Sequence, residues 1–129
     1  MLNNIQIRNA MRRIMPDRQA LTLMSRRSGD NQTSFFSYTI PEGRLKQLTK
    51  EDIELFDLGP GSHRYRIIQV WKRSLEAATA IDPAVLPCPV PKATDQIIGA
   101  REPSATWIVE QVKVNMMGEV YNCLCERTV

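Results

Sequence analysis

The chain is poor in the residues that most catalytic and metal chemistries need. Among 129 residues there is one histidine, His63, there are three cysteines, and aromatic residues make up 6%. An odd number of cysteines cannot complete a disulfide framework, and a chain of this size needs no covalent staple, so a reducing compartment is the simpler inference. Cys123 and Cys125 are two apart and would share one face of a strand, with only Cys88 and His63 left to complete a four-ligand site. With no Cys-x-x-Cys or paired-His spacing, the cysteines read as small packing residues, and neither a metal nor a cofactor is expected.

Nucleophilic catalysis needs a base within reach of an activated Ser or Cys, and His63 falls at the polar start of a predicted strand. The glycines occur singly in turns, with no Gly-x-Gly-x-x-Gly to cradle a phosphate. Glu51, Asp52, Glu54 and Asp57 read as a helix start and a solvated face rather than an acid/base pair. No enzymatic activity and no catalytic residue is expected. Nor does any apolar run approach the roughly 18 residues of a spanning helix, and the first six residues lack the apolar centre of a secretory signal, so no membrane association is expected.

What is present fits one soluble domain, with 43% hydrophobic and 24% charged residues. The net charge of +3 is uneven, because residues 1 to 30 hold six arginines against two aspartates. Arg8, Arg12 and Arg13 are the candidate contacts to DNA or to an acidic protein surface; the plainer reading is a solvated basic face. Ile7, Ala10, Met11 and Ile14 repeat at helical spacing, Asn3 or Asn4 can cap the helix, and Pro16 stops it. About three turns long, such a helix must dock on its own domain or on a neighbouring subunit.

From Ala20 the pattern becomes that of strands. Leu21 and Leu23 alternate with Thr22 and Met24, and after the turn signal at residues 28 to 31 comes Thr33 to Ile40 with Phe36, Tyr38 and Ile40 inward. Pro41-Glu42-Gly43 reads as a break, and Thr49 can cap a short helix over Lys50 to Phe56. A strand over His63 to Trp71 carries Tyr65, Ile67 and Trp71 on one side and Ile68 and Val70 on the other. Two apolar faces imply that a neighbouring element or subunit covers its outer side. Asp95 to Ile98, Thr106 to Met116 and Val120 to Arg127 form a three-stranded meander. In its middle strand Trp107 and Val109 have one parity and Val112, Val114 and Met116 the other. Either a bulge at Glu110-Gln111 restores a common face, or the strand is buried on both sides.

Lys72 to Thr94 is the most unusual stretch, with Pro83, Pro87, Pro89 and Pro91 excluding regular structure from its second half; Ser74 to Ala80 has room for one or two helical turns. A connection of this length in a compact domain is commonly functional or disordered. Its apolar residues Leu75, Ile81, Val85, Leu86 and Val90 are the candidate contacts to a ring neighbour or partner. The expected architecture is a mainly β domain. It is a small antiparallel barrel or sandwich of about six strands, with an N-terminal helical arm (1–19) and a barrel domain (20–129) carrying the inserted loop 72–94.

Asp95-Gln96-Ile97-Ile98, then Thr106-Trp107-Ile108-Val109-Glu110-Gln111-Val112, then Tyr121-Asn122-Cys123-Leu124-Cys125-Glu126-Arg127 resembles the end of tailed-phage head-closure (head-to-tail stopper) proteins. The resemblance implies a small β-barrel that assembles with itself as a ring beneath a portal or adaptor protein, holds packaged DNA in, and presents a docking surface to a tail protein. It implies a place in the neck of a virion assembled in the host cytoplasm, with adaptors and tail terminators as related possibilities. The rival reading from another class is a cellular nucleic-acid-binding β-barrel, which the scarcity of aromatic stacking platforms disfavours. A cysteine-dependent enzyme is a weaker third.

Overall fold

In the computed structural model, residues 18–26, 35–59, 64–81, 88–115 and 117–128 are described. The helix expected over residues 3 to 15 lies outside them. Among the described residues, seven strands and two short helices follow one another as β1 (Arg18–Arg26), β2 (Phe35–Lys46), α1 (Lys50–Leu55), β3 (Tyr65–Trp71), α2 (Lys72–Glu76), β4 (Thr79–Ala80), β5 (Gln96–Gly99), β6 (Thr106–Val114) and β7 (Val120–Thr128). The antiparallel order β1-β5-β6-β7-β3-β2 closes because β1 also pairs with β2. Closure decides for a barrel over a sandwich, and it leaves those six strands without a free edge. β4 is a two-residue appendage on β2, opposite Tyr38 and Thr39.

Alternation fills the interior. Leu21, Leu23, Tyr38, Ile40, Ile68, Val70, Ile97, Val109, Cys123 and Cys125 are almost wholly buried in one cluster, with Trp107 at its margin. Of the two readings of the middle strand, the bulge is the one found: Val109 faces Cys125 but Gln111 faces Leu124, so Glu110 is the extra residue. Beyond the bulge Val112 packs against the core, while Val114 is exposed.

The expected break at Pro41-Glu42-Gly43 is corrected: β2 runs through it to Lys46. Between Gln19↔Gly43 and Leu21↔Ile40 the ladder shifts register, and Pro41, which has no N–H to donate, falls in this irregularity where no regular rung is needed. The bend lets β2 pair with β1 along most of its length and then with β3 from Gly43 onward. Gly43 is at the corner. A Cβ there would run into the Leu21 side chain and come within 3.1 Å of the Gln69 carbonyl oxygen, so any larger residue forces Leu21 to shift.

The outer side of β3 is covered by its own chain. Thr49 and Asp52 form a reciprocal capping box at the start of α1, with Thr49 N–H donating to Asp52 Oδ2 at 2.9 Å and Asp52 N–H to Thr49 Oγ1 at 3.2 Å. At its end Leu58 N–H donates to the Ile53 carbonyl and Asp57 N–H to that of Glu54, with Asp57 in the left-handed region at φ 53°. The turn carries Phe56 onto Ile67 and Leu124, with Leu48, Leu58 and Tyr65 around them. Burying one such aromatic ring contributes about 1.5–3 kcal/mol.

Candidate functional site

The segment expected as a single long loop is anchored on the barrel from both sides. Its first part is α2 and β4, and Leu75 and Ala78 belong to the main core cluster. The helical turns therefore begin at Lys72, and Thr79–Ala80, expected to be helical, is strand, held by Ile81 N–H donating to the Ser37 carbonyl at 3.0 Å. On the far side Cys88 joins the same core and Pro91 is buried. Between these anchors Ile81 is 58% and Val90 45% exposed.

A buried carboxylate fastens the second flank. Asp95 is fully buried, and its Oδ1 and Oδ2 accept from Ser25 Oγ at 3.0 and 3.1 Å, while Oδ2 also accepts from Lys92 N–H at 3.0 Å. Lys92 Nζ reaches back to the Arg26 carbonyl at 3.0 Å, and Val109 N–H donates to the Asp95 carbonyl at 2.8 Å. Thr94 takes a positive φ of 77° to make this tight turn, and its own N–H donates to the Val109 carbonyl. Burial raises the Asp95 pKa above the ordinary carboxylate value, against the opposing pull of the Lys92 N–H, the Ser25 hydroxyl and the Lys92 charge.

The thiols are in the wrong state for chemistry. Burial and then the nearby Asp95 charge push Cys88 up to about 11 and Cys123 up to about 12, and burial raises Cys125 as well. A thiolate is the reactive form, so all three behave as packing groups at neutral pH. Among the described residues no cluster of three or more His, Cys, Asp or Glu side chains is placed to hold a metal ion, and no helix is long and apolar enough to cross a membrane. Asp52, the one strongly bonded carboxylate of the acidic run, is held below the usual range: burial would raise it, but the Thr49 N–H, Lys46 and the Thr49 hydroxyl outweigh that effect. Its role is the helix cap.

Of the candidate partner contacts, Leu75 is only 5% exposed and belongs to the core, a correction to its expected place on an exposed loop. α2 packs against β2 and β3, and Leu75 is committed to the barrel core. Ile81 and Val90 are at the surface; Val85 and Leu86, like Arg8, Arg12, Arg13 and His63, lie outside the described residues. Comparison with protein-family models, with curated proteins and with solved structures finds no match for this chain.

Proposed function

We propose that this chain is a structural protein of a phage neck, forming a homo-oligomeric ring between the portal or adaptor and the tail that closes the DNA-filled head. The family resemblance falls on the segment that forms the consecutive strands β5, β6 and β7. The observation that carries the reading is the pairing of exposed Ile81 and Val90 with firmly anchored flanks at Leu75, Ala78 and Cys88. A closed barrel has no sheet edge to offer a neighbour, so assembly falls to such apolar connections and to the barrel wall. The residues that carry the function in this reading are Ile81, Val85, Leu86 and Val90, in contact with a ring neighbour or a tail protein, and the site of action is the virion neck.

Light scattering of the purified protein, alone and with the portal ring of the same genome, tests the proposal. The protein alone is monomeric or weakly associated, and a complex with several copies per portal forms on mixing. Failure to join any portal or tail component favours the rival nucleic-acid-binding barrel.

A further inference from the structure

The strand registers place five residues distant in sequence in a single row across the barrel. Arg18 is directly opposite Arg44, Arg44 opposite Gln69, Gln69 opposite Asn122, and Asn122 opposite Lys113. The neighbours of these residues along each strand, among them Gly43, Leu45, Val70, Cys123 and Val112, are the ones that face or pack against the core. The row therefore lies on the outer wall. It crosses five strands, a span of roughly 19 Å at about 4.8 Å per strand. All five side chains carry N–H donors, and three are cations.

The row's charge is poorly balanced. One carboxylate meets it among the described residues, Glu42, at 3.5 Å from Arg18 Nη1, and the Arg18 guanidinium also stacks 4.4 Å from the centre of the Trp71 ring. Arg18 is more than nine-tenths buried, and the Nε atoms of both Arg18 and Arg44 are buried with no hydrogen-bond acceptor among the described residues. Two guanidinium groups directly opposite each other repel, and a buried N–H without an acceptor is costly. Anionic oxygens along the row would relieve the repulsion. Gln69 Nε2 donates to Asn122 Oδ1 at 2.9 Å, which leaves the amide N–H groups of Asn122 as donors within the row.

We infer that this row is a contact surface for the phosphodiester backbone of a nucleic acid, bound without base readout. A single small anion would occupy only part of a row this long, whereas a chain of phosphates can follow it. An acidic protein fits less well, since the adjoining row, Ile67 and Leu124, is already covered by Phe56 and offers no apolar core for a protein interface. Arg18 already occupies the face of the Trp71 ring, so among the described residues this ring is not a free stacking platform for a base. The inference rests on register and burial and stands independently of the neck assignment.

Fluorescence anisotropy of the full chain with a labelled 20-nucleotide oligothymidine and a 20-base-pair duplex, across a salt titration, tests it. Arg44→Gln and Lys113→Gln each weaken binding several-fold and each take about one from the slope of log K against log salt. Glu42→Gln, which removes the competing carboxylate, tightens binding. Arg127→Gln removes the same charge from an exposed residue outside the row and changes affinity less than twofold. Circular dichroism confirms that each variant is folded. The inference is overturned if the wild type binds neither nucleic acid at low salt, if Arg127→Gln weakens binding as much as Arg44→Gln, or if polyglutamate competes as well as nucleic acid does.

Discussion

Ser25 and Asp95, 70 residues apart in sequence, are joined inside the barrel by a hydroxyl that donates to both carboxylate oxygens at 3.0 and 3.1 Å. The bond ties the end of β1 to the turn that leads into β5, so it fastens the returning flank of the inserted segment to the barrel. Ser25→Ala leaves the buried carboxylate one donor short and lowers stability by about 1–3 kcal/mol. Chemical denaturation at neutral pH measures it.

The same carboxylate gives stability a pH dependence of known sign. Its folded pKa lies above the unfolded value near 3.8, so the native state holds the proton longer than the unfolded chain does. The resulting stabilisation is complete below the unfolded value and is lost as pH rises through the folded one. Asp95→Asn has no proton to lose, and its stability curve lacks this decline. Denaturation midpoints of both proteins across the acidic range check this; parallel curves would remove Asp95 from the account.

At the corner of β2 the buried Leu21 side chain packs directly over Gly43. Gly43→Ala places a methyl against Leu21, itself 1% exposed, and the cost of repacking is about 1–3 kcal/mol. An unchanged melting temperature would show that Leu21 moves aside freely.

The thiols of Cys88, Cys123 and Cys125 are buried and their pKa values raised, so a thiol reagent at mildly alkaline pH leaves them unmodified in the native protein and titrates all three after denaturation. Cys88→Ser and His63→Ala leave assembly intact, and Cys123→Ser does so with some loss of stability from packing. Stoichiometric zinc in the purified protein would contradict these assignments.

Much of the barrel was legible because its signals are local. Alternation marked the strands at Leu21/Leu23 and Ile68/Val70 and set the inward face at Tyr38/Ile40, the parity change between Val109 and Val112 made a bulge one of two readings, and Thr49 marked the helix start. Four features were hidden because they depend on partners distant in sequence. Pro41 signalled a break, and only the register with β1 shows the bulge that tolerates it. Leu75 lies in a segment that prolines make irregular further on, which masked its place in the core. Asp95 read as the first residue of a strand, with nothing in the sequence to mark its buried carboxylate, and the row from Arg18 to Lys113 has no signature in the linear sequence.

The anchored flanks separate the role of residues 82 to 87 from that of the residues beside them. Replacing 82 to 87 with a Gly-Ser linker preserves the folded barrel, since closing a loop depends weakly on its length, and abolishes head-to-tail joining. Leu75→Ala instead costs about 2–5 kcal/mol of stability through loss of core packing. Thermal melts beside particle-assembly assays distinguish the two effects.

The neck assignment meets its most direct test in the mass of the complex formed with the portal of the same genome. Light scattering should give a weakly associated species alone and a ring of several copies on the portal. A protein that stays at its own mass in the presence of portal and tail components would contradict the account.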